Sequence, residues 1–207
     1  MKITAIKQQL KTRDRYSVYV DEQYSFSLGE TALLDSGLHS GHELTSQNIE
    51  EYKKLSLDGK LYNRALRYVA MRQRSAWEMQ TYLERKGADV PLVGTIIARL
   101  TELGLIDDYK LARAYVADRQ LLRPTSRRKL MAELKKKRVA QAVIDEVLAE
   151  QAEASDGNAD RSVLRDLIER KRRQTKYQDD LKLMQYLARQ GFGYGDIKSA
   201  LSADEDV

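Results

Sequence analysis

The feature that most limits what this chain can fold into is a pattern that recurs three times after residue 64. Three segments align on one another: ALRYVAMRQRSAWEMQTYLERKGADVPLVGTIIARL (65–100), ARAYVADRQLLRPTSRRKLMAELKKKRVAQAVIDEVLAE (112–150) and VLRDLIERKRRQTKYQDDLKLMQYLARQGFGYGDIKSALS (163–202). Met79, Leu130 and Leu183 correspond, as do Leu83, Leu134 and Leu187, then Gly87, Arg138 and Gly191. Val93, Ile144 and Ile197 follow, and last Ile97, Leu148 and Leu201. Each set is separated by 51 and then 53 residues (79 to 130 to 183, for instance). Apolar residues four apart share one helix face, and repetition at such a period marks stacked helical units. Gly87 and Gly191 fall where the second helix of a unit must stop and reverse, and Arg138 takes that place in the second unit. Pro91 falls in the opening turn of a third helix, where its missing N–H costs nothing. Asp107 or Asp108 is placed to cap the first helix of the second unit.

A three-helix unit of this size has little core of its own, so neighbours are expected to pack in series. The expected fold is mainly α: an elongated array of three tandem three-helix repeats, preceded by a small N-terminal β-hairpin or sheet subdomain. The expected division is a β-rich extension with a short helix at 1–44, a connecting helix at 45–61, and helical repeats at 62–108, 109–150 and 161–202. An acidic linker (151–160) and an acidic tail (203–207) complete it. The third repeat has a long lead-in, RKRRQTKYQDD.

The N-terminal part changes period. Ser17–Asp21 alternates, with Val18 and Val20 on one face and Tyr19 on the other, and YSFSL alternates at Tyr24, Phe26 and Leu28. Two alternating runs across Asp21-Glu22-Gln23 predict a hairpin, and Lys2–Leu10 supplies a third candidate strand, which a lone hairpin needs. A short helix over Glu30–Ser36 is expected to end at Gly37. Thr45 or Ser46 should then cap a long helix, with Glu50 assisting. Ile49, Leu55, Tyr62, Leu66 and Val69 are its expected apolar positions, and Gly59 is the place for a break or bend.

Composition excludes several kinds of chemistry. The 207 residues contain no cysteine, which removes disulfide and thiol chemistry and fits a reducing cytoplasm. The two histidines, His39 and His42, sit in a turn-like stretch with Glu43 as the one obvious further ligand, too few for a metal site. GxSxG, HExxH and Walker-type glycine loops are absent. GFGYG (191–195) follows a helix rather than a strand and reads as a turn. No apolar run reaches the length of a membrane span, and the opening MKITAIKQQLKTRDRYS has no secretory-signal pattern. We therefore expect no catalytic residues, no cofactor, no metal and no membrane partner, and a cytoplasmic monomer.

Charge is unevenly placed. Lys and Arg outnumber Asp and Glu by 36 to 31. The segment 123–138 alone holds Arg123, Arg127, Arg128, Lys129, Lys135, Lys136, Lys137 and Arg138 against Glu133. On a helix, Arg127, Arg128, Lys135 and Arg138 form a stripe with Leu130, Leu134 and Met131 facing inward. Arg113 and Arg119 are candidates to extend it. Such a stripe suits an acidic protein surface or nucleic-acid phosphates; the plainer reading is a solvated face. No aromatic residues interleave with it as a base-stacking groove requires, which favours protein as the principal partner and DNA as an accessory. Trp77 is expected to serve packing between helical units.

These runs also carry a resemblance. RLTELGLIDDYKLARAYVADR (99–119), RQRSAWEMQTYLERKG (72–87) and RPTSRRKLMAELKKKRV (123–139) resemble the signature elements of the RecX family in order and spacing, and the resemblance spans about residues 60–200. The β-rich N-terminus is similar to an extension carried by some members. The resemblance implies a non-enzymatic regulator that binds the RecA filament and restrains its recombinase, ATPase and coprotease activities. The alternative is an independent DNA-binding helical-repeat protein that affects recombination indirectly.

Overall fold

The computed structural model describes residues 1–153 and 159–205. Among these residues it has three strands, ten α-helices and one short 3-10 turn. They divide into two compact units, one holding Met1–Arg72 and Met79–Glu102, the other Gln73–Glu78 and the chain from Leu103 onward. Part of the linker (154–158) and the end of the tail (206–207) lie outside the described residues.

The first unit begins with an antiparallel sheet of β1 (Ile3–Gln8), β2 (Arg15–Val20) and β3 (Gln23–Gly29), with β2 in the centre. Asp21 and Glu22 both take positive φ (47° and 66°), so the two-residue turn has the twist that suits a tight hairpin. Val18, Val20, Phe26 and Leu28 are buried together with Ile3. Tyr24 breaks the expected alternation and is 53% exposed. The cause is a register shift: Val18 pairs with Phe26, yet Tyr19 pairs with Tyr24, leaving Ser25 extra. Such a bulge turns the following side chain to the other face, where the Tyr24 ring meets Tyr19 edge-on at 6.1 Å.

Helix α1 (Glu30–Ser36) ends at Gly37 in the left-handed conformation. Helix α2 (Ser46–Met71) is capped by Thr45, whose side chain accepts from the Asn48 N–H. The reciprocal partner is Asn48, not Glu50; Glu50 pairs with Lys53 at 2.7 Å instead. The helix runs unbroken through Gly59 for 26 residues. A Cβ there would make an ordinary contact with Nη1 of Arg15 at 3.5 Å. The buried face of α2 is Ile49, Ser56, Leu61, Ala65 and Val69. Ile49 and Val69 are buried as expected, whereas Leu55 is 42% exposed and Tyr62 and Leu66 are half-buried. The C-terminal half of α2 leads into α3 (Ala76–Arg85) and α4 (Val90–Glu102). In that group Ile97 is half-buried, while Ile96 and Leu100 are buried.

The second unit contains α5 (Asp108–Leu122), α6 (Arg127–Lys136) and α7 (Gln141–Glu153), then α8 (Ala159–Arg172), the 3-10 turn Thr175–Tyr177, α9 (Asp180–Arg189) and α10 (Tyr194–Glu205). Leu130, Leu134, Ile144 and Leu148 close the core of the first trio. Leu183, Leu187, Ile197 and Leu201, together with Phe192, close that of the second. Gly191 reverses the chain after α9 with φ 93°, and Tyr194 and Gly195 of GFGYG already open α10. Trp77 is 42% exposed and so is not wholly packing.

Candidate partner-binding surface

The basic segment is organised by caps. Asp107 caps α5 by accepting from the Lys110 N–H, which holds its carboxyl below the usual carboxylate range. Asp108 does a different job. Its Oδ1 accepts the Ala76 N–H at 2.9 Å, and burial pushes its pKa up. Ser75 and Glu78 form a capping box at the start of α3, and the Ser75 hydroxyl donates to the Lys137 carbonyl at 2.9 Å. The same joint recurs one repeat later. The Arg127 N–H donates to Asp160 Oδ1 at 2.8 Å, and the Thr125 hydroxyl and Ser126 N–H donate to the Gln190 carbonyl. Ser126 in turn caps α6. Each joint satisfies the orphan donors at one helix start and an orphan carbonyl at another helix end.

This scaffold sorts the ten candidate residues into two classes. Arg119, Arg127, Lys129 and Lys137 are half-buried and tied into the protein. Arg119 donates to the Tyr115 hydroxyl and pairs with Glu133 at 3.1 Å; the bond to Tyr115 foremost holds its pKa above the usual arginine value. Arg127 donates to the Leu148 carbonyl. Lys129 Nζ donates to the Arg189 carbonyl and Gln190 Oε1, both at 2.9 Å, and so caps α9. Lys137 lies over the Tyr115 ring, 5.5 Å from its centre. Arg113, Arg123, Arg128, Lys135, Lys136 and Arg138 are exposed. The expected stripe therefore loses Arg127, whose guanidinium is bound to the Leu148 carbonyl of α7.

Sequence reasoning passed over a second cationic group. Arg170, Lys171 and Arg173 join Arg123 around a cavity of about 380 Å³ in the second unit. Lys171 lies over the rings of Tyr177 and Tyr186, and Arg173 pairs with Glu169. The signal was four consecutive cations, 170–173, in a stretch read only as a long lead-in. No group of three or more His, Asp or Glu residues that could hold a metal ion is found among the described residues. His39 is exposed and His42 half-buried, their rings 5.1 Å apart. No helix among the described residues is long and apolar enough to cross a membrane.

Three family models match the chain in order. The regulatory protein RecX N-terminal domain covers residues 1–45, the RecX first three-helix domain 62–100, and the RecX second three-helix domain 107–148. The chain belongs to the RecX family. It is 28% identical to the regulatory protein RecX of Listeria monocytogenes serotype 4a (strain HCC23), over 93% of this chain and 71% of that one. It is 32% identical to the RecX of Lactobacillus johnsonii (strain CNCM I-12250 / La1 / NCC 533), over 72% of this chain and 54% of that one. A crystal structure of regulatory protein RecX superimposes with a TM-score of 0.73 at 25% identity, covering 96% of this chain and 98% of that one. RecX from Lactobacillus salivarius, at 21% identity and a TM-score of 0.61 over 73% of this chain and 98% of that one, shares the fold. The RecX family consists of regulatory proteins and not enzymes.

Proposed function

We propose that this chain binds the RecA nucleoprotein filament and mainly inhibits its recombinase, ATPase and coprotease activities, with DNA as an accessory partner. The observation that carries this reading is the ordered match of three RecX domains, the N-terminal one and both helical ones, to a single chain. The contact surface we assign is the exposed set Arg113, Arg123, Arg128, Lys135, Lys136 and Arg138. Such a set steers the chain towards an acidic or phosphate-bearing partner and makes binding salt-sensitive. The cytoplasm and a monomeric state accord with this role.

The independent DNA-binding reading draws support from the cavity ringed by Arg123, Arg170, Lys171 and Arg173. RecA ATPase on single-stranded DNA, measured as this chain is added, tests the main reading. ATP hydrolysis is expected to fall as the chain saturates the filament. A rate unchanged at stoichiometric excess over RecA contradicts regulation of RecA by this chain.

A further inference from the structure

The N-terminal unit contains a buried cation that the helical repeats do not explain. Arg15 is 5% exposed at the start of the central strand. Its Nη2 donates to the Ser27 carbonyl and hydroxyl (2.6 and 3.0 Å) and to the Ser56 carbonyl (3.3 Å), all neutral acceptors. Its Nε is buried without a hydrogen-bond partner. Buried charges are ordinarily paired with an opposite charge, yet none of the ion pairs among the described residues involves Arg15. Burial lowers its pKa, and Asp14 opposes that only in part. Asp14 and Asp58 line a larger cavity that Arg15 also borders.

Arg15 forms the floor of a cleft of about 200 Å³ whose walls carry Lys60, Arg64 and Arg67, with Gln9, Thr12 and Asn63 between them. The three cations of α2 are spaced i, i+4, i+7 and so share one helix face. All three are exposed. Seven residues of helix rise span about 10 Å, which is about three phosphate intervals of roughly 3.4 Å along one strand of a duplex. Every residue lining the cleft is a cation or a neutral hydrogen-bonding residue. That set matches what contacts phosphate and sugar oxygens in nucleic-acid complexes.

We propose that this cleft binds the phosphodiester backbone of a nucleic-acid strand, with Lys60, Arg64 and Arg67 on phosphates along it and Arg15 supplying fixed positive charge beside them. The site belongs to the N-terminal unit alone and does not rest on the RecA reading.

The test is fluorescence polarisation of a labelled oligonucleotide with the full chain, without RecA, between about 50 and 200 mM salt. Arg15 is left intact because it also anchors Ser27 and Ser56. The variant Lys60→Ala/Arg64→Ala/Arg67→Ala, at exposed positions, is expected to keep the wild-type melting curve. It should lose at least tenfold in affinity at the low-salt end, and its log–log salt slope should flatten by about two, from roughly 0.7 per phosphate on a single strand. Asn63→Asp, which puts a carboxylate into the cleft, is expected to weaken binding in the same direction. Wild-type affinity and slope in the triple variant overturn the proposal. So does a triple variant that keeps DNA binding but loses RecA-filament binding, because the cleft then takes an acidic protein.

Discussion

Replacing Gly191 with alanine is expected to destabilise the chain by about 3 kcal/mol, and the same change at Gly87 by only about 1 kcal/mol. Both glycines end the second helix of a three-helix group with positive φ, 93° and 85°, a conformation that costs an L-residue about 1–2 kcal/mol. They differ in surroundings. A Cβ on Gly87 meets nothing within 4 Å. A Cβ on Gly191 collides with the Ser126 hydroxyl and stands 2.9 Å from Lys129 Cβ and 3.3 Å from the Lys129 N–H. The start of α6 lies against the end of α9 there, held by the bonds from Thr125, Ser126 and Lys129, so overpacking adds about 1–3 kcal/mol. Arg138 holds the equivalent position in the middle group at φ 57° and already bears the backbone strain. Arg138→Gly is therefore expected to stabilise by about 0.5–1 kcal/mol. Thermal melts followed by circular dichroism check the series, with a drop of about 6–12 °C for Gly191→Ala at about 2–4 °C per kcal/mol. Equal drops for Gly191→Ala and Gly87→Ala contradict the packing argument.

The second large effect is on the partner. Arg128→Glu/Lys135→Glu/Lys136→Glu is expected to weaken inhibition of RecA ATPase by about tenfold to hundredfold while the melting curve stays close to wild type. The three side chains are exposed, and none of the ion pairs among the described residues involves them, so reversal breaks no ion pair. Arg127 is excluded although it lies in the same run. Its guanidinium serves the Leu148 carbonyl, and a glutamate there sets a carboxylate against a carbonyl oxygen, which mixes unfolding with loss of binding. A folded triple variant that inhibits like wild type removes this surface from the assignment and leaves the regulatory reading standing.

The helical groups were legible because their signal is local and periodic. Leu83, Leu134 and Leu187 are fully buried in their three copies, and a leucine four residues from its partner reports its own helix face. The joints were not legible. Ser75 finds its acceptor 62 residues away and Thr125 finds its own 65 residues away, and no local pattern encodes such a distance. That is also why Arg127 and Lys129 read as surface charge. In the sequence nothing separates a cation bound to a distant backbone carbonyl from one that faces solvent. Tyr24 failed for a related reason: one extra residue in β3 reverses every side chain on its far side. The buried arginine was invisible for the opposite cause. Arg15 shares its parity with Ser17 and Tyr19, opposite the Val18 and Val20 face, so the alternation marks it as outward although it is buried.

The choice between RecA filament and DNA as the principal partner comes down to one comparison. The full chain is sedimented with RecA assembled on single-stranded DNA, and in parallel with the same DNA alone, as salt is raised. Retention on the filament at salt that strips the chain from bare DNA is the expected result, because protein contacts add to a phosphate term that salt removes. Release from both at the same salt would show that the chain recognises the nucleic acid and not the filament.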